Sequence, residues 1–117
     1  MEIKNKRILI TGGAGFIGFH LATRLAKNNK VFLWDNLSRG RFDQDFKELI
    51  KNKKIIFKKI DLKDRIKIKL NKIDYLFHLA GSVGVRNIEK ASYNSFINNV
   101  NSLKSLINFC LKQNKKL

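Results

Sequence analysis

The chain has 117 residues, enough for one domain spanning 1–117 with a modest core, and its hydrophobic content of 44% excludes a disordered chain. No apolar run approaches the ~20 residues of a membrane span. The first residues lack the apolar core of a signal peptide, and a single cysteine, Cys110, excludes an internal disulfide, so the expected home is a reducing cytoplasm. The charge is extreme, 25 basic residues against 9 acidic for a net of +16. The lysines are spread along the chain, as at Lys51, Lys58, Lys63, Lys67 and Lys72, without an arginine-rich or aromatic-interleaved cluster. That pattern predicts salt-sensitive adhesion to polyanions and no specific nucleic-acid partner; a basic nonspecific nucleic-acid binder is kept as an alternative.

Ile8, Leu9 and Ile10 read as a buried strand. It meets a glycine turn at Gly12, Gly15 and Gly18, and a helix follows with Ile17, Leu21 and Leu25 four residues apart on one face. Strand, glycine turn and helix is the setting in which a Gly-x-x-Gly-x-x-Gly spacing carries chemical meaning. The first glycine permits the tight bend, the second lets backbone approach a pyrophosphate, and the third lets helix and strand pack together. The free N–H groups and positive dipole end of the helix then hold the phosphates. The run Val31-Phe32-Leu33-Trp34 reads as the second strand and ends at Asp35, 17 residues beyond Gly18. The acid that binds an adenosine ribose is expected at ~20. A carboxylate accepts from both ribose hydroxyls and repels a 2′-phosphate, which favours NAD over NADP. Arg39 and Arg41 weaken that preference, and a plain turn acid is the alternative role for Asp35.

A loop over Asn36–Gly40 precedes a short helical stretch with Phe42, Phe46, Leu49 and Ile50 on one side. Ile55-Ile56-Phe57 reads as a third strand closing at Asp61. Residues 63–70 are ambiguous, because Ile66, Ile68 and Leu70 alternate as in a strand. Ile73–Ala80 reads as a fourth strand ending at Gly81. Residues 92–113 are the clearest helix, with Tyr93, Phe96, Ile97, Val100, Leu103, Ile107 and Cys110 at the three–four spacing of a buried face. Strands alternating with helices predict an α/β fold, a doubly wound parallel sheet of local order 3-2-1-4. A ligand would lie at the switch point between the first and fourth strands. His20, His78 and Cys110 show no metal-ligand spacing. His78 reads as a packed strand residue and Cys110 as a small hydrophobe.

The blocks Thr11–Gly18, Asp35-Asn36-Leu37-Ser38, Asp61-Leu62, His78-Leu79-Ala80-Gly81 and Asn98-Asn99-Val100-Asn101 occur in one order across nearly the whole chain. In them the sequence resembles the N-terminal part of an extended short-chain dehydrogenase/reductase, among the NAD-dependent nucleotide-sugar epimerases and dehydratases, UDP-hexose 4-epimerases in particular. The resemblance implies a Rossmann-type sheet with NAD as cofactor. It implies that Phe16 and Ile17 offer backbone N–H groups to the pyrophosphate and that Asp35 and Asn36 hold the adenosine ribose. Asp61 would accept from the adenine amino group, with Leu62 against the ring. Leu79, Ala80 and Gly81 would wall the cofactor's second half, and Asn99 would project toward it; by periodicity alone Asn99 is an exposed polar residue. For residues 63–70 the family pattern implies a short helix, and for the long helix a part in a homodimer.

The chain departs from that pattern in places. Val83 stands where 4-epimerases often have a lysine, Ser102-Leu103 replaces a Gly-Thr, and a proline is missing near Ala91. The family's chemistry uses a serine or threonine and a Tyr-x-x-x-Lys pair, in which the lysine's charge favours phenolate. Four residues after Tyr75 is Leu79, and four after Tyr93 is Ile97. The expectation is therefore a cofactor-binding portion without catalytic residues, inactive alone, with the nucleotide-sugar substrate met only in a complete enzyme. A self-standing NAD-binding regulatory module is the further alternative.

Overall fold

The computed structural model describes residues 2–82 and 90–113, with side chains in the second range from residue 92 onward. The elements run β1 (Arg7–Thr11), α1 (Phe16–Leu25), β2 (Lys30–Asp35), α2 (Gln44–Ile50), β3 (Ile55–Lys59), β4 (Tyr75–His78) and α3 (Lys90–Gln113). The four strands are all parallel and lie in the order β3-β2-β1-β4. The sheet order follows the sequence expectation; β4 is four residues long, shorter than the predicted 73–80.

Successive strand residues point to opposite faces, and both faces of β1 and β2 are covered. On one face Ile8, Ile10, Val31 and Leu33 pack with Ala22 of α1, with Ala26 at its C-cap and with Phe46 and Leu49 of α2. On the other, Leu9, Phe32 and Trp34 pack with Leu62, Ile73, Leu106 and Phe109. The continuous apolar runs of β1 and β2 are the signature of strands buried on both sides.

Three packing expectations are corrected. Ile17 does not face the core and is 67% exposed, whereas Gly18 and Ala22 form the buried seam of α1. The seam sits there because the helix crosses the glycine turn too closely for a side chain. A Cβ on Gly18 would lie 2.3 Å from the Gly12 carbonyl oxygen and 2.8 Å from Gly13 Cα. Leu21 and Leu25 pack at the edge of the same core.

In α3 the predicted stripe points largely outward. Tyr93, Phe96, Val100, Leu103 and Ile107 are exposed, and the buried contacts are Leu106 and Phe109. The helix carries apolar residues on more than one side, and the sheet selects the side that meets Trp34, whose ring lies 5.1 Å from that of Phe109. Each such burial contributes about 1.5–3 kcal/mol. Cys110 is half-buried at the margin of this cluster, as expected, and burial raises its thiol pKa.

Residues 63–70 form neither strand nor helix. Their alternation is one of burial: Ile66, Ile68 and Leu70 pack against the Trp34 cluster, while the intervening lysines stay exposed. The segment is fastened to α3 by the Leu70 amide, which donates to Gln113 Oε1 at 3.2 Å.

Candidate dinucleotide site

The glycine turn is shaped by contacts at its two ends. Gly12 has φ +73°, a left-handed conformation, and a Cβ there would stand 2.6 Å from Ala80 N and 2.7 Å from the Leu79 carbonyl carbon. Both the backbone and the space require glycine. Its N–H donates to the Trp34 carbonyl at 2.8 Å, so the turn leaves β1 tied to β2. Gly15 is the N-cap of α1, without a side-chain cap and with no acidic residue in the first turn. The N-terminal N–H groups of a helix have no intrahelical partners, so this end presents donors and positive potential. Phe16 and Ile17 supply that turn, and their side chains point to solvent.

A cleft of about 360 Å³ opens beside the turn, at the carboxyl ends of the strands. Of the thirteen residues singled out from sequence, ten line it: Gly12, Gly15, Asp35, Asn36, Asp61, Leu62, Leu79, Ala80, Gly81 and Asn99. Phe16, Ile17 and Gly18 do not; Gly18 is in the helix–turn seam. Arg39, weighed from sequence beside Asp35, lines the cleft too, and so do Trp34, Ser38, Gly40, Ile60, Lys63, Ser82, Asn98 and Ser102, which sequence reasoning did not single out as site residues. Ser38, Arg39 and Gly40 are there because the loop after β2 folds back over the turn, with Arg41 N donating to the Ala14 carbonyl at 3.3 Å. Their place beyond the strand's last acid was the available signal.

Asp35 does two jobs at once. Its Oδ2 accepts from Ala14 N at 3.0 Å, bracing the glycine turn, and its Oδ1 accepts from Leu37 N at 2.7 Å. The second bond supports Leu37 in a left-handed conformation, φ 61°. An ionised carboxylate has about four acceptor positions, so about two are left for a ligand's hydroxyls. Asn36 links this corner to the end of β3, donating from Nδ2 to Asp61 Oδ2 at 3.4 Å. Asp61 Oδ1 accepts from Lys63 N at 3.0 Å, and Leu62 is buried against the Trp34 cluster while bordering the cleft.

The β4 side of the cleft is held by two devices. Thr11 Oγ1, fully buried, lies 2.7 Å from His78 Nδ1 on the neighbouring strand and accepts from Ala80 N at 3.4 Å. Burial holds the His78 imidazole below its ordinary pKa. Asn99 grips the chain after β4: its Oδ1 accepts from Ser82 N at 2.7 Å and its Nδ2 donates to the Ser82 carbonyl at 3.1 Å. Asn99, expected to project toward a cofactor, lines the cleft and clamps its wall through these two bonds. Val83 lies outside the described residues. No cluster of three or more His, Cys, Asp or Glu among the described residues could hold a metal ion.

The arrangement fits a dinucleotide. An uncapped helix end, its N-cap Gly15 on the cleft lining, and carboxylates at the ends of β2 and β3 provide donors for a diphosphate and acceptors for hydroxyl and amino groups. The fold is thus that of a Rossmann-type α/β protein, with the cleft at the carboxyl ends of its strands.

Comparison with known proteins narrows this class. The profile of the NAD dependent epimerase/dehydratase family matches residues 8–117, and the chain belongs to that family. It is 37% identical over 113 residues to a UDP-N-acetyl-alpha-D-glucosaminuronate decarboxylase of Bacillus cytotoxicus, covering 96% of this chain and 35% of the relative. It is 36% identical over 104 residues to a putative UDP-glucose 4-epimerase of Methanocaldococcus jannaschii, covering 85% and 32%. Among solved structures it superposes on the UDP-N-acetylglucosamine 4-epimerase of Methanobrevibacter ruminantium, bound there to UDP-N-acetylmuramic acid. That match has a TM-score of 0.78 and 33% identity, covering 97% of this chain and 36% of the other. The chain spans about a third of the length of these relatives. Among the described residues no helix is long and apolar enough to cross a membrane.

Proposed function

We propose that this chain is the NAD-binding portion of a nucleotide-sugar epimerase or dehydratase. One observation carries the reading: Gly15, the uncapped N-cap of α1, and the Asp35 carboxylate, which accepts from Ala14 N in the glycine turn just before it, border one cleft at the strand ends. The first-turn N–H groups of Phe16 and Ile17 hold the diphosphate, and Gly12, Gly15 and Gly18 give it room and keep helix and strand close. Asp35 and Asn36 take the adenosine ribose. Asp61 accepts from the adenine amino group beside Leu62, and Leu79, Ala80 and Gly81 wall the second half. Asn99 acts on that wall through Ser82. When bound, NAD supplies the acceptor and later the donor of a sugar hydride; the residues of this chain bind and orient it.

The proton-transfer groups come from outside this chain, because neither Tyr75 nor Tyr93 has a lysine four residues on. The substrate is a nucleotide sugar in the complete enzyme. β4 pairs only with β1 among the described residues, and the exposed stripe of α3 (Tyr93, Phe96, Val100, Leu103, Ile107) supports burial against further protein, including a second copy in a homodimer. A cytoplasmic location accords with this reading.

Calorimetric titration at moderate salt tests it. NAD binding in preference to NADP, weakened by Asp35→Ala, is the expected result. Absence of NAD binding, or equal binding by the variant, would refute it. No turnover of UDP-, dTDP- or GDP-sugars is expected from this chain alone, and measurable turnover would show that its own residues transfer the proton.

A further inference from the structure

A second, larger groove, about 1420 Å³, lies between residues 63–72 and the C-terminal half of α3. Its charged lining is entirely basic: Lys63, Arg65, Lys67, Lys69, Lys72 and Lys112. Lys63 and Lys72 stand 3.8 Å from Asp61 and Asp74. The other four have no ion pair among the described residues. The arrangement is imposed by packing. Ile66, Ile68 and Leu70 are drawn onto the Trp34 cluster, so the residues between them are turned out together. Arg65, Lys67 and Lys69 thus form a row in which successive Cα atoms stand at most about 7 Å apart. The facing wall of α3 offers neutral hydrogen-bonding groups, Ser105 and Asn108, beside Lys112.

From this row of unpaired cations facing neutral polar groups we infer that the groove binds single-stranded nucleic acid through its phosphate backbone, without base preference. A concave trough with a linear cation row suits a chain of regularly spaced anions better than a flat anionic membrane. Base readout has no platform here, since Phe109, the aromatic of the groove, is buried in the core. The net charge of +16 draws polyanions to the whole surface; the inference is that this groove is where they are held. It is independent of the NAD reading, and only Lys63 is shared with the dinucleotide cleft.

The test is fluorescence anisotropy of a labelled single-stranded RNA against salt, with the full chain. Two triple variants carry the same charge change. One is Arg65→Gln/Lys67→Gln/Lys69→Gln; the control is Lys27→Gln/Lys53→Gln/Lys58→Gln, at exposed positions outside the groove. Each lost phosphate contact on a single strand lowers the slope of log affinity against log salt by about 0.7, so the groove variant should lose about 2 in slope. It should also lose about tenfold or more in affinity at low salt, while the control changes by less than about threefold. Lys112→Gln alone should lose about 0.7 in slope. Circular dichroism confirms that each variant keeps its fold. Equal losses in the two triples would overturn the inference in favour of net charge alone. So would absence of RNA binding by the parent chain, or groove-dependent binding to phosphatidylserine vesicles as tight as to RNA.

Discussion

Gly18→Ala reverses the usual effect of a helical glycine. In an ordinary helix interior alanine is more stable than glycine by about 1 kcal/mol. Here the new methyl would stand 2.3 Å from the Gly12 carbonyl oxygen, 2.8 Å from Gly13 Cα and 3.0 Å from the Gly12 carbonyl carbon, all main-chain atoms. Ordinary contact requires withdrawal by about 1 Å, and no side chain can rotate away to provide it. Overpacking of this kind costs about 3 kcal/mol at the upper end of its range. Subtracting the gain in helix propensity leaves a net loss of about 2 kcal/mol, or a fall in Tm of about 8 °C for a domain of this size. Gly15→Ala is the companion variant. Its Cβ would meet only the Gly12 carbonyl oxygen, at 3.3 Å, so it should cost less than about 1 kcal/mol of stability. That methyl would nevertheless stand on the cleft lining and weaken NAD. Urea or thermal unfolding of both variants, alongside NAD titration, separates the two roles. A Gly18→Ala variant as stable as the parent, or more so, would refute the claim that helix–turn proximity dictates this glycine.

Asn99→Ala should speed hydrogen exchange at the Ser82 amide about fivefold in the absence of cofactor, the worth of one hydrogen bond, as read by NMR; unchanged exchange would remove the clamp. Asp35→Asn should weaken NAD less than Asp35→Ala, because the amide oxygen can still accept from one of Ala14 N and Leu37 N; calorimetry ranks the two. Acidification should destabilise the fold through His78. Its folded pKa is depressed by burial, so below the ordinary value near 6.5 the unfolded chain binds the proton more readily, and stability falls as pH drops through the folded value. His78→Gln should flatten that part of the stability–pH curve measured by denaturant unfolding, and an unchanged slope would assign the effect to other groups.

The glycine turn, the acid ending β2 and the alternation of strands with helices were legible in the sequence, because each is a local arrangement whose chemistry is complete within a few residues. The order 3-2-1-4 followed from the handedness of the crossovers. The site itself was legible to the extent that its residues are strand-end residues: Asp35, Asp61 and Leu79 reach one cleft because parallel strands end on the same side. Partnership was not legible. That Asp35 braces Ala14, that Thr11 meets His78 and that Asn99 grips Ser82 depend on register and on contacts between residues up to 67 apart in the chain. The phase of α3 was equally closed to sequence reading. Its apolar residues encircle much of the helix, and only the position of Trp34 decides that Leu106 and Phe109 are buried while Phe96 and Val100 face outward. Residues 63–70 show the same division. Their alternating pattern determined which side chains turn inward, but whether the backbone found a strand to pair with was decided by the tertiary fold, which offered a helix and an apolar cluster instead.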